Sequence, residues 1–272
     1  MHWLRRDFKA LFPLENMANY DVLGNIAIVK FKRRVKKIAK VRFAKRLLQE
    51  HKQVATIVEK AGKHKGRLRK QETRHIAGEA TKEALYKENG CVFRFNVDTC
   101  YFSPRLAAER QEVARNVKEN ERVLVMFGGV GPFAVVIAKQ GKAAKVVSVE
   151  LSRECKKYAL ENVKRNKVQS IVEVVQGDVR RVVPRMKETF ERIVMARPNL
   201  KDSFLDVAFK KIMRGGIIHY YGFCGEGEVE GMKTTIRAEA RKRKREIEFL
   251  QVKKAGDIGV RKWRWRIDMR VT

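Results

Sequence analysis

Acidic residues are scarce in this chain: 31 Asp and Glu stand against 62 Lys and Arg, a formal net charge of +31. A surface adapted to extreme conditions through ion pairs would bring acids along with the bases, so that explanation fits poorly. The excess is far beyond what solubility needs and predicts a polyanionic partner. It runs from Arg5 to Arg270, which favours a broad nucleic-acid face over a membrane-bound basic tail. Cysteine is sparse too. Cys91, Cys100, Cys155 and Cys224 are scattered without a CxxC pair. That argues against zinc, an iron–sulfur cluster or a disulfide scaffold, and predicts free thiols in a reducing cytoplasm. The five histidines show no metal-ligand spacing, so no metal is expected. No apolar run approaches 18 residues, so no transmembrane helix and no membrane partner are predicted. Met1-His2-Trp3-Leu4-Arg5-Arg6 lacks the long apolar core of a signal peptide.

What is present is concentrated between Glu121 and Asp178. Arg122 to Phe127 is a short apolar run of strand type that opens into Gly128-Gly129-Val130-Gly131-Pro132-Phe133, followed by a helix-like stretch. A second apolar run ends on Glu150, and a third, Ile171 to Val175, leads to Gly177-Asp178-Val179. Strand, glycine turn, helix, strand, acid is the order that lays a nucleoside across the carboxyl ends of parallel strands. A dinucleotide fingerprint would read GxGxxG, and its helix would offer free backbone donors to a pyrophosphate. Here Pro132 and Phe133 occupy those positions, and no Gly-Lys-Ser/Thr follows. The pattern suits a ligand without phosphates, and S-adenosylmethionine fits. Glu150 is expected on the ribose, Asp178 near the adenine amino group and the glycines under the methionine part. The cofactor-binding set is Phe127, Gly129, Val130, Gly131, Glu150, Leu151, Asp178, Val179 and Ala196. The plain alternative is that Glu150 merely ends a strand.

The remainder of the chain reads as strand–turn–strand over 20–31, then an amphipathic, cationic helical pattern over 32–59 that counts Val54, Ile57 and Val58 among its apolar positions. Residues 61–66 form a loop with two glycines, and 67–98 a mostly β unit whose Asn89-Gly90 marks a hairpin. Helices are expected over 106–120, over 204–214 (stopped by Gly215-Gly216) and over 230–248, with a terminal strand over 263–271. Trp263 and Trp265 alternate with Arg264 and Arg266; one tryptophan face buried in a sheet is favoured over base stacking. His219-Tyr220-Tyr221 reads as structural. The expected fold is α/β: a Rossmann-like class I methyltransferase domain (99–272) behind a smaller, basic amino-terminal α+β domain (1–98). A monomer is favoured.

Phe102-Ser103-Pro104-Arg105-Leu106-Ala107-Ala108-Glu109-Arg110, followed by Met126 to Phe133, resembles the archaeal and eukaryotic tRNA guanine N1-methyltransferases acting at position 37. Ile76-Ala77-Gly78-Glu79, Glu88-Asn89-Gly90, Asn162 with Asn166-Lys167-Val168, and Gly215 to Tyr221 extend the match. The resemblance implies tRNA as partner, S-adenosylmethionine as donor, Glu109 as the base that removes the guanine N1 proton, and Arg69 as the cation near O6. It places Arg105, Arg110 and Arg67 against the base pocket or phosphates. Two plain alternatives stand beside it: an i, i+4 helix ion pair between Glu109 and Arg105, and a nonspecific phosphate contact for Arg69. The chain departs from the family pattern in three ways. Ala196-Arg197-Pro198 stands where Asn-Leu-Pro is usual, with Arg197 a possible substitute donor; Val125 replaces an aspartate; and a separate domain that grips the outer corner of tRNA is expected to be absent. The related wybutosine-pathway aminocarboxypropyl transferase and a non-catalytic RNA-binding relative are the alternatives.

Overall fold

The computed structural model describes residues 17–62, 66–197, 200 and 202–272. The amino-terminal run, Lys63-His64-Lys65 of the glycine loop and Pro198 lie outside the described residues. The small sheet has the order β1 (Ala18–Leu23), β2 (Ile26–Phe31), β3 (Thr56–Lys60), β4 (Thr73–Gly78), with only β2 and β3 parallel. A crossover helix, α1 (Lys37–Glu50), joins the parallel pair. The helical pattern over 32–59 is thus corrected: Ile57 and Val58 belong to β3, and Val54 packs beneath α1. Both faces of β3 are buried, and a continuous apolar run of that kind carries no periodicity to separate strand from helix. Period two sorts the sheet. Ala27, Val29 and Ile57 face Phe43, Ala44 and Leu47 of α1, whereas Ile26 and Val58 join the core of the larger domain.

β5 (Glu83–Glu88) and β6 (Cys91–Asn96) form the expected hairpin, with Asn89 (φ 50°) and Gly90 (φ 70°) both left-handed, as a two-residue turn requires. The other edge of β6 docks on α4 (Arg153–Arg165). Asn162 accepts from Arg94 N (2.7 Å) and donates to Arg94 O (3.1 Å); Asn166, just past the helix, does the same with Val92, at 2.8 Å each way. Two side-chain amides thereby replace a neighbouring strand, satisfying backbone groups that an open edge would leave unpaired.

The large sheet has the order β12 (Ile247–Gly259), β13 (Lys262–Val271), β11 (Ile212–Cys224), β10 (Phe190–Met195), β7 (Arg122–Met126), β8 (Lys145–Glu150), β9 (Val172–Gln176). Strands β11, β10, β7, β8 and β9 pair parallel, and β13 pairs antiparallel with both β11 and β12. Its two cores alternate along each strand. Val123 and Val125 meet α2 (Ala107–Arg115), α3 (Pro132–Gln140) and α4; Leu124 and Met126 meet α6 (Leu205–Lys211) and α7 (Val229–Lys242). The helix expected over 204–214 ends at Lys211, and β11 runs through Gly215-Gly216. Phe190 pairs with Ile212 but Arg192 with Ile217, so the glycines lie in a register shift and not at a helix stop.

Candidate nucleoside and tRNA site

Strand order reverses between β7 and β10, and in parallel sheets the crevice outside such a reversal binds ligands. The ends of β7, β8 and β9 bring together the glycine turn, Glu150 and the short helix α5 (Val179–Val182) capped by Asp178. Phe127 takes φ 65° as the chain leaves β7, a conformation that costs a non-glycine residue energy and recurs at functional sites. Gly128 passes so close to β8 that an added Cβ would stand 2.2 Å from Ser148 Oγ. Gly131, at φ 87°, starts α3 in a region that side chains disfavour.

Glu150 is buried and its two oxygens each accept one backbone hydrogen bond, Oε2 from Gly129 N and Oε1 from Ser152 N, both at 2.7 Å. Each oxygen keeps acceptor capacity for a ribose hydroxyl. Burial pushes its carboxyl above the ordinary value, partly offset by those N–H groups. A Glu150→Gln enzyme is expected to bind S-adenosylmethionine roughly ten- to a hundredfold more weakly, the scale of a charge-assisted hydrogen bond. Calorimetry checks this, and an affinity within about twofold of wild type would take Glu150 out of the site. Because the proton is held to a higher pH than usual, wild-type affinity should begin to fall, on acidification, above the ordinary glutamate value of 4.5, while Glu150→Gln stays flat.

Asp178 accepts from Arg180 N at 2.9 Å, as a helix cap, and from Arg67 Nη2 at 2.8 Å. Burial alone would raise its carboxyl, but Arg67 and Arg180 N–H outweigh burial and hold it below the usual range. Arg67, expected on RNA, reaches from the small domain to Asp178 with its own side chain 57% exposed, and an adenine amino group would share Asp178 with it. Phe127, Gly129, Glu150, Leu151, Asp178, Val179, Ala196 and Arg197 all line one cleft of about 1120 Å³. Val130 and Gly131 do not. Val130 is a core side chain whose carbonyl accepts from Asn162 Nδ2 (3.0 Å), so these two residues shape the turn from behind.

The opposite wall of the same cleft carries Arg69 and Arg105. Arg69 lies over the ring of Tyr101, 4.9 Å from its centroid. Arg105 meets Asp21 at 3.3 Å with both side chains more than 60% exposed, a contact weak enough to exchange for a phosphate. The i, i+4 pair between Arg105 and Glu109 does not form. Arg110 lines the cleft too, but from within the fold: it is 1% exposed, grips Glu88 with two nitrogens, donates to Ser103 O at 3.0 Å and lies by the rings of Phe102 and Phe133. Arg197 is also internal: its Nη1 donates to Leu200 O and Asp202 O at 2.9 Å, and it lies against Tyr220 and Phe223.

Glu109 sits one layer behind the cleft wall. It pairs with Arg266 Nη1 (2.8 Å) and Lys253 Nζ (2.9 Å) and accepts from the hydroxyl of Tyr221 (3.2 Å), whose side chain does line the cleft. Behind it, charges alternate through the sheet. Arg266 meets Asp268 at 3.0 Å, Asp268 meets His219 Nδ1 at 2.7 Å, and Arg192 meets His219 Nε2 at 2.8 Å and Glu121 at 2.6 Å. A guanidinium only donates, so Nε2 accepts and Nδ1 carries the proton: His219 is neutral. Burial, opposed by Asp268, lowers its pKa in agreement. The structural role expected for His219 fits this network, but Tyr221, Arg266 and Lys253 were missed as neighbours of Glu109, and Tyr101 as the neighbour of Arg69. Arg266 and Asp268 leave one signal in the sequence, charges alternating with apolar residues inside the strand Trp265 to Met269. Trp265 is buried, as expected for one tryptophan of the pair.

The free-thiol expectation is corrected at the cleft. Cys100 and Cys155, 55 residues apart, form a disulfide with Cα atoms 5.6 Å apart, leaving Cys91 and Cys224 free. The absence of CxxC spacing says nothing about pairs that the fold assembles. Among the described residues, no cluster of three or more His, Cys, Asp or Glu side chains is placed to hold a metal, and no helix is long and apolar enough to cross a membrane.

Known proteins resemble this chain in sequence and fold along most of its length. The TRM5/TYW2 methyltransferase domain matches residues 84–250 and the TYW2 N-terminal domain residues 13–81. The tRNA (guanine(37)-N(1))-methyltransferase Trm5b of Pyrococcus abyssi is 37% identical over 93% of this chain and 75% of its own. The tRNA (guanine(37)-N(1))/4-demethylwyosine(37)-methyltransferase Taw22 of Nanoarchaeum equitans is 32% identical over 92% and 99%. The crystal structure of Pyrococcus abyssi Trm5b superposes with a TM-score of 0.83 at 36% identity, covering 93% of this chain and 75% of that one. The complex of aTrm5 with tRNALeu does so with a TM-score of 0.82 at 25%, covering 95% and 74%. Similarity of this extent, on a sheet edge already shaped for a nucleoside, means that the chain belongs to the TRM5/TYW2 methyltransferase family.

Proposed function

We propose that this protein transfers the methyl group of S-adenosylmethionine to N1 of guanine 37 in tRNA. The observation that carries the reading is that a phosphate-free nucleoside ledge shares one cleft with Arg69 of the small domain and Arg105 of the run that follows it. Residues 1–98 serve as the tRNA-contacting part and 99–272 as the donor-binding part, in the cytoplasm where tRNA is found. S-adenosylmethionine supplies an electrophilic methyl group when bound. Guanine N1 becomes a nucleophile only as its proton leaves, and the charge that then develops on O6 needs a cation. Arg69, held over Tyr101 on the cleft wall, supplies the cation. Glu109 takes the proton after turning from Lys253 toward Tyr221 and the cleft. Arg197, beside the position where the family's asparagine usually stands, walls the end of β10 by donating to Leu200 O and Asp202 O.

Two features favour aminocarboxypropyl transfer as the second reading: the Ala196-Arg197 replacement and the TYW2 character of residues 13–81. Incubation of the protein with unmodified tRNA and labelled donor, then mass analysis of the nucleosides, decides the matter. N1-methylguanosine is expected, and an aminocarboxypropyl adduct would replace the reading. A protein that bound donor calorimetrically but modified no tRNA would be the non-catalytic relative. With a net charge of +31, tRNA affinity should fall steeply with salt, about 0.7 to 0.9 log units per log unit of salt for each phosphate neutralised. An affinity equal at 50 mM and 200 mM salt, concentrations on the order of those where such loss is large, would rule out phosphate-driven binding.

A further inference from the structure

The carboxyl edge of the large sheet carries one structure that the reaction does not use. Strand β11 runs parallel to β10 and stops at Cys224, at the donor edge. Its antiparallel neighbour β13 pairs with it up to Trp263 and no further, whereas the β12–β13 hairpin continues through Gly259 and Lys262 to a turn at Val260-Arg261. The tip therefore projects past the sheet beside the donor ledge, and Ile258, Gly259 and Arg264 line the same cleft as Gly129 and Arg69.

The chemistry of the tip is unusual for a turn. Such positions suit Gly, Asn and Asp, which tolerate left-handed backbone and face water well. Here Val260 is 92% exposed and Ile258 38% exposed, while Arg261 takes φ 52°. Of the five cations between Lys253 and Arg264, Lys253 and Lys254 pair with Glu109, Glu112 and Glu226 at the base of the hairpin, and Arg261, Lys262 and Arg264 lie toward the tip with a single acid, Asp257. An apolar point on a cationic stalk matches an opened nucleic-acid stack. The apolar part fills the gap between bases, and the cations take the flanking phosphates. A guanine inside a folded loop must leave its stack before its N1 can reach a donor on the ledge, and the vacated gap needs filling.

We infer that the β12–β13 tip is a finger that enters the tRNA loop, with Val260 and Ile258 occupying the stack vacated by the swung-out guanine and Arg261 and Lys262 holding the adjacent phosphates. The inference rests on the tRNA-loop substrate of the proposed function. An anticodon stem-loop RNA carrying 2-aminopurine beside the target guanine reports unstacking as a rise in emission when the protein binds. Val260→Ser and the Ile258→Ser/Val260→Ser pair are expected to lose half or more of that rise and to bind the RNA about fivefold or more weakly, the lower end of a lost stacking contact. Their salt dependence and donor affinity should match wild type. Arg261→Ala/Lys262→Ala should instead flatten the salt slope by about one per residue and keep the emission change per bound RNA. All these positions are exposed, in the turn or on the strand ends beside it, and a melting curve checks that the fold is intact. If the wild type methylates guanine and the serine variants match it in emission and affinity, the finger is wrong and the proposed reaction stands. If the wild type shows the emission change and the serine loss without methylating, the finger stands and the reaction is wrong. A wild type that leaves the probe stacked overturns the finger.

Discussion

Glu109→Gln is expected to slow methyl transfer by roughly two to four orders of magnitude, the usual worth of a positioned general base. Glutamine keeps the shape of the side chain and can still accept from Arg266 and from the hydroxyl of Tyr221, at 2.8 and 3.2 Å in the wild type. It gives up the ion pair with Lys253, which keeps Glu112 as partner, and it loses the ability to take the proton of guanine N1. The donor ledge lies on other strands, so S-adenosylmethionine affinity should stay within about twofold, far less than the loss of a charged hydrogen bond would produce. Single-turnover transfer at saturating tRNA and donor is the measurement. A rate within about threefold of wild type, well inside the general-base range, would show that Glu109 is part of the structural charge network and nothing more.

Arg110→Met carries the largest expected loss of stability. The guanidinium and its partner Glu88 are 1% and 3% exposed, so removing one leaves a carboxylate buried without its counter-charge. Breaking such a pair costs about 3–5 kcal/mol. For a chain of this size that corresponds to a fall of roughly 10 °C in melting temperature. Thermal melts of the variant and the wild type check this. A fall of only a degree or two would mean that Arg110 is free for RNA after all, as the sequence alone suggested. Because Arg110 also donates to Ser103 O, the run that carries Arg105 and Glu109 would loosen with it.

Local spacing places the residues proposed to hold the donor. Each half of the β–turn–α and β–acid units is short, and the acid or glycine follows its own strand directly. Gly129, Glu150 and Asp178 were therefore legible as cleft residues before their strands were known to be neighbours, whereas Val130 and Gly131, equally legible, fell behind the turn. The Asn89-Gly90 hairpin was legible for the same reason, since a two-residue turn is specified by the residues within it. Asn162 and Asn166 were visible only as part of a resemblance; that they complete the edge of β6 needed the docked helix.

The sequence by itself determined the layered α/β architecture, the phosphate-free nucleoside ledge and the pull toward a polyanion, because these follow from periodicity, from turn chemistry and from the sum of charges. The tertiary structure alone decided what each charged or thiol group is paired with. It buried Arg110 on Glu88, set Arg67 on Asp178, tied Glu109 to Arg266 and Lys253, and joined Cys100 to Cys155. The physical reason is distance along the chain: these partners lie between 22 and 157 residues apart. A side chain's sequence neighbours do not indicate which opposite charge the fold will bring beside it, or whether water will be there to compete.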